Sequence, residues 1–181
     1  MRRQAKTINF AVLYGQSAFS LAQTLGVDNH TATAWIADYF EQMPGVKQYI
    51  EQTKALAHEQ KYVKTLFGRR RYYSEIDSSN FSIRQFAERA AINMPIQGSA
   101  ADIMKLAMIA VHDFLKRERV QGCTMILQVH DELLFEVEEG FLAEITPQIV
   151  HYMEGVYPEC TVRLKTEAKA GANWADMKGL S

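Results

Sequence analysis

An α+β fold is predicted, with a helical first part and a second part in which long helices back an antiparallel sheet. Three observations lead there. Residues 2–60 show helical patterning in successive stretches separated by Gly15, Gly26 and Pro44-Gly45. Two short runs rich in β-branched and aromatic residues, 125–129 and 133–137, flank the polar triplet His130-Asp131-Glu132, the pattern of a hairpin. Residues 99–118 carry Ile103, Leu106, Ala107, Ala110, Val111 and Phe114 as one apolar stripe, placed to back that hairpin.

Taken in order, residues 2–14 contain neither Gly nor Pro and read as a helix capped at Gly15. Its start lacks a Ser or Asp cap, which reads as a chain cut into the middle of something longer. Arg2, Lys6, Phe10 and Tyr14 recur every four residues and share one face, two cations followed by two rings. Such a face suits a phosphate chain leading to a sugar and a base. It equally suits a surface of snorkelling cations and core-edge aromatics. Residues 17–25 make a short second helix. A third starts at Asn29 or Thr31 and runs to about Met43, with Trp35, Ile36, Tyr39 and Phe40 inward, and a fourth covers 46–60.

Residues 62–67, Gly68 and 69–73 read as a second hairpin. Its Arg69, Arg70 and Arg71 beside Tyr72 and Tyr73 suit a nucleic-acid backbone or are solvated charges. Residues 82–93 are helical, Pro95 kinks or restarts the helix, and Ser99-Ala100-Ala101-Asp102 reads as a capping-box variant opening the next one. Arg89, Asn93 and Gln97 recur every four residues, as donors on one side or as a wet face. After the Asp131 hairpin come a helix over 141–155 that contains Pro147, a strand over 162–168, and a tail anchored by Trp174.

The apolar share of 48% and charged share of 23% are those of an ordinary globular chain, and 181 residues suffice for a real core. No apolar run has the length of a membrane span, so no membrane partner is expected. Cys123 and Cys160 lie far apart without metal-type spacing and read as reduced thiols of a cytoplasmic protein. Residues 1–91 hold 12 Lys/Arg against 8 Asp/Glu, and residues 92–181 hold 8 against 13. A basic half could meet phosphates while an acidic half holds metal, although chance gives such splits too. Asp131 and Glu132 repel each other at a hairpin tip. A divalent cation or a cationic substrate between them relieves that cost, and a plain polar turn is the other reading.

Together, and in this order, four stretches resemble the C-terminal part of family A DNA polymerases, the bacterial DNA polymerase I type. Residues 2–15 look like the family's fingers-helix motif, Arg-x3-Lys-x3-Phe-x3-Tyr-Gly. Glu88-Arg89-Ala90-Ala91-Ile92-Asn93 through Gln97-Gly98-Ser99-Ala100-Ala101-Asp102 resembles the segment joining fingers to palm. Gln128-Val129-His130-Asp131-Glu132 is similar to the palm's second catalytic motif, and Leu164-Lys165 through Asn173-Trp174 resembles the family's C-terminus.

The resemblance implies a fingers subdomain over 1–93 and the C-terminal part of a palm over 94–181. It implies that Arg2 and Lys6 contact dNTP phosphates, Phe10 the sugar and Tyr14 the neighbourhood of the templating base. Arg89, Asn93, Gln97, Gln128 and His130 would contact primer-template DNA. Asp131 would hold the catalytic pair of Mg²⁺ ions with Glu132 beside it, so that Lys6, Asp131 and Glu132 form the catalytic set for nucleotidyl transfer. The family's first catalytic Asp motif has no counterpart here. The expectation is therefore a fragment or one piece of a split enzyme, inactive without an N-terminal palm and thumb segment or a complementary chain. A catalytically dead remnant that binds nucleic acid or nucleotide is the alternative.

Overall fold

A computed structural model describes residues 2–180, with side chains from Ala5 onward. The chain forms two compact units, one up to Ser99 and the other from Ala100. Among the described residues, no helix is long and apolar enough to cross a membrane.

The first unit opens with α1 (Arg2–Leu13), α2 (Ala18–Leu25), α3 (Asn29–Gln42) and α4 (Pro44–Gln60). The glycines and the proline expected from sequence set some of their ends, and side-chain caps set others. Gly15 and Gly26 take φ values of 65° and 68°, where a Cβ is costly. Ser17 accepts a hydrogen bond from Ser20 N, Asp28 accepts one from Thr31 N, and Pro44 sits in the first turn of α4. Ala11, Leu21, Ala22 and Ala32 are the buried centre of the α1–α3 packing. Trp35, Ile36, Tyr39 and Phe40 are only half-buried, and the fully buried residue of α3 is Ala32. Small residues at the contact let these short helices approach closely, which leaves the large rings at the margin.

Strands β1 (Tyr62–Lys64) and β2 (Arg70–Tyr72) pair antiparallel, with Gly68 at φ 82° in the connection. A second core joins them to α4 and to α5 (Phe81–Arg117) through Ala57, Val63, Tyr73, Ile76, Ala87, Ala91 and Met94. The restart considered at Pro95 does not occur: α5 runs through it as one helix, and Ser99 is not an N-cap. Tyr73 donates its hydroxyl to Ala90 O at 2.8 Å and Tyr49 to Ile92 O at 2.6 Å, one on each side of Ala91, whose carbonyl Pro95 leaves without its helical donor. Burial pushes both phenols above their ordinary pKa, so both remain donors. Ser99 donates back to Pro95 O and accepts from Leu66 N at 2.9 Å, so it serves the β1–β2 connection instead of a helix start.

In the second unit, β3 (Cys123–Val129) and β4 (Glu132–Val137) form an antiparallel hairpin, followed by α6 (Leu142–Glu154) with Pro147 inside it. Val111, Phe114, Cys123, Ile145 and Ile149 make the core, with Met125, Phe135 and Val137 packed against it. The stripe on α5 does back the hairpin, through a narrower line than expected. Ala107, Val111 and Phe114 are buried, Ile103 and Ala110 are half-buried, and Leu106 is exposed. Positions 107, 111 and 114 lie on one row of the helix; Leu106 lies on the neighbouring row.

The strand expected over 162–168 is absent: these residues have no ladder partner among those described, and Val162 is 71% exposed. An extended segment becomes a strand only by pairing. The pairing occurs later, between β5 (Lys169–Ala170) and β6 (Lys178–Gly179). Trp174 is half-exposed and does not anchor the tail. Asn173 organises it instead, its Oδ1 accepting from Ala175 N and Asp176 N.

Candidate functional site

On α1 the spacing of four becomes a ladder of contacts. Ala11 and Val12 go into the core, which turns the opposite face outward. On that face Lys6 Nζ stands 5.7 Å from the centre of the Phe10 ring, and the Phe10 and Tyr14 rings are 5.7 Å apart. Phe10 is 45% exposed and Tyr14 37%, so a cation and two rings lie in line at the surface. The Arg2 side chain is outside the described residues.

The ladder ends at a cleft of about 440 Å³ lined by Tyr14, Gln16, Ser17, Ser20 and Arg89. Gly15 allows this closure. A Cβ there would meet Arg89 Cγ and Ile92 Cδ1, each at 3.3 Å. Arg89 of α5 thus comes up against the end of α1. Because α5 is unbroken at Pro95, Arg89, Asn93 and Gln97 remain on successive turns of one helix. Asn93 Oδ1 is buried and has no hydrogen-bond partner among the described residues, while Gln97 is exposed. Gln16, Ser17 and Ser20 escaped the sequence reading. The only signal was Gly15, whose left-handed turn folds the next residues back toward the Tyr14 ring.

In the second unit Gln128, His130, Asp131 and Glu132 are all exposed at the end of the β3–β4 hairpin. Val129 pairs with Glu132, so the connection is the two residues His130-Asp131, and Glu132 opens β4 instead of sharing the tip. His130 takes φ 52°, and its carbonyl accepts from Gln128 Nε2 at 2.6 Å. The register shifts between Met125 and Leu127, a bulge that leaves Ile126 and Leu127 exposed together. Among the described residues no three His, Cys, Asp or Glu side chains group to hold a metal. Asp131 and Glu132 supply hard carboxylate oxygens, the donors that Mg²⁺ takes in ones or twos with water and phosphate completing the shell.

Residues 1–176 match the family model described as DNA polymerase family A. The chain belongs to that family. It is 48% identical to DNA polymerase I of Rhizobium leguminosarum across 96% of its length, and 45% identical to thermostable DNA polymerase I of Thermus thermophilus across 99%. It spans 18% and 21% of those relatives' own lengths. Its structure is similar to that of the polymerase domain of Pol1 from M. smegmatis, solved in complex with DNA primer-template and dNTP. The TM-score is 0.83 and the identity 44%, over 87% of this chain and 28% of that one.

In this family A chain, Lys6, Phe10, Tyr14 and Arg89 gather in the first unit around one ladder and one cleft. Gln128, His130, Asp131 and Glu132 gather on one hairpin in the second.

Proposed function

We propose that the chain is the fingers (1–93) and the C-terminal palm portion (94–181) of a DNA-directed DNA polymerase in the cytoplasm, acting on dNTP and primer-template DNA. The observation that carries this reading is the exposed Lys6–Phe10–Tyr14 ladder ending at the Arg89 cleft. It orders a phosphate contact, a flat apolar wall and a ring beside a guanidinium, the order in which a nucleotide presents triphosphate, sugar and base.

Lys6, with Arg2 one turn before it, holds the triphosphate as point charges. Phe10 packs on the sugar, and Tyr14 closes the site beside the templating base. Arg89, Asn93 and Gln97 from α5, with Gln128 and His130 from the hairpin, donate to primer and template. Minor-groove acceptors recur in every base pair, so such donors grip any sequence. The primer 3′ oxygen attacks the α-phosphorus, the bond from that phosphorus to the α,β-bridging oxygen breaks, and pyrophosphate leaves with that oxygen. Asp131, with Glu132 beside it, would hold Mg²⁺. When bound, two such ions ease deprotonation of the 3′-hydroxyl and neutralise charge on the leaving oxygens.

The donor set on the hairpin is half of such a site, so the chain is expected to work with an N-terminal palm and thumb piece. The test is primer extension by the purified chain with Mg²⁺ and dNTPs, with and without that piece expressed separately. Synthesis only in the mixture is the expected result. Synthesis by the chain alone, after controls for contaminating polymerase, overturns the dependence; none in either case makes the chain a binding remnant.

A further inference from the structure

We propose that the β1–β2 hairpin is a separate binding platform for single-stranded DNA, gripping it by stacking and by phosphate contacts. Register decides what each side of this hairpin carries. Tyr62 pairs with Tyr72 and Lys64 with Arg70, so the period of two puts both rings and both cations on one face. Val63, on the other face, is buried in the core. The outward face has the Tyr62 and Tyr72 rings 5.4 Å apart, the Arg70 guanidinium 4.6 Å from the Tyr62 ring, and Tyr72 67% exposed.

Residues 61–73 hold five cations and no Asp or Glu. Lys61 is paired with Asp77, and Arg69 donates to Gly98 O at 3.0 Å. Lys64, Arg70 and Arg71 have no carboxylate partner among the described residues. Rings that stack with any base, beside cations left free of carboxylates, are what a single strand needs and a duplex, whose bases are hidden, does not.

The platform is also firmly seated. Its connection is tied to α5 through Leu66 N to Ser99 Oγ and Arg69 to Gly98 O. A Cβ on Gly98 would lie 2.7 Å from Thr65 Cγ2, so glycine permits that seat. Gln97, the end of the Arg89–Asn93–Gln97 row, directly precedes Gly98. A strand passing along that row is therefore led onto the hairpin. That this strand is the unpaired template rests on the polymerase reading; the binding of single strands does not.

The experiment is fluorescence anisotropy of the whole chain with a labelled oligothymidine, with a duplex of equal length as comparison. Wild type should bind the single strand with Kd in the range of about 10⁻⁴–10⁻⁶ M or tighter. Lys64→Gln with Arg70→Gln should lower the slope of log K against log salt by about 1.4, the share of two phosphates. Tyr72→Ala should weaken binding by about tenfold with little change in that slope. In the complemented enzyme these variants should leave extension over a one-nucleotide overhang unchanged and raise the DNA KM on long overhangs. Absence of single-strand binding by wild type, or variant affinities within about twofold and slopes unchanged, overturns the proposal. Should the variants misfold by circular dichroism, photocrosslinking of wild type to bromodeoxyuridine-containing oligonucleotide decides. Crosslinks within residues 61–73 support the platform, and crosslinks only elsewhere exclude it.

Discussion

Lys6 and Asp131 are exposed, so their substitution removes charge without opening a cavity. Lys6→Ala should raise the KM for dNTP in the complemented enzyme and spare DNA affinity. A charge-assisted contact of about 1.5–3 kcal/mol corresponds to one to two decades in kcat/KM. Steady-state kinetics with separate DNA titration reads this, and a loss confined to DNA affinity would reassign the residue. Asp131→Asn should lower extension by at least about two decades while stability moves by no more than about 0.5 kcal/mol, the usual range for surface substitutions. Single-turnover extension and urea unfolding measure the two halves. Gly15 differs in kind. At φ 65° an alanine costs about 1–2 kcal/mol, and its Cβ would press on Arg89 and Ile92. Gly15→Ala should therefore both destabilise the chain and impair nucleotide use.

The element that organises the first unit is α5, because three groups meet it around Pro95. Tyr73 and Tyr49 supply hydroxyl donors beside the proline gap, and Ser99 ties in the β1–β2 connection. Tyr73→Phe leaves Ala90 O without that donor and should cost about 1 kcal/mol in urea unfolding, with the helix retained. An unchanged midpoint would mean the hydroxyl is not needed to carry α5 through Pro95.

The same helix shares an ion network with α4. His58 Nδ1 lies 2.9 Å from Asp77 Oδ1 and its Nε2 3.1 Å from Glu88 Oε1, while Lys54 reaches Glu88 at 3.2 Å. Hydrogen bonds from Lys61 and His58 hold the Asp77 carboxyl below its ordinary pKa. Burial pushes Glu88 up, but the hydrogen bonds and charges of His58 and Lys54 outweigh it and leave this carboxyl lowered as well. Carboxyls depressed in the folded state contribute stability above their unfolded pKa, and lose it as pH falls through the folded value. Tm should therefore drop below about pH 4, and Glu88→Gln should flatten that drop. Parallel Tm–pH curves for both forms would remove Glu88 from the network.

At the scale of the molecule, the β3–β4 sheet has two strands among the described residues, and the bulge in it exposes Ile126 at 56% and Leu127 at 45%. Two-stranded sheets are marginal, and an open apolar edge invites pairing. The isolated chain should self-associate at micromolar concentration, and addition of the N-terminal palm and thumb piece should replace this by a one-to-one complex. Sedimentation velocity checks both, and a monomer indifferent to the added piece would count against complementation.

Local order was legible because its causes are local. Gly15, Gly26 and Pro44 end or start helices through their own backbone geometry, and the short apolar runs on either side of His130-Asp131 pair as a hairpin. The four-residue spacing of Lys6, Phe10 and Tyr14 likewise sufficed to put them on one face. What needed the tertiary structure was every feature that depends on a distant partner. Pro95 left a restart of the helix open because the sequence does not show that Tyr49 and Tyr73 hydroxyls flank its gap. Residues 162–168 have a strand's composition and no ladder among the described residues, and Trp174 has an anchor's size but is half-exposed. The meeting of Arg89 with Tyr14 came only from packing, since a helix pattern fixes which residues share a face and leaves open what that face will meet.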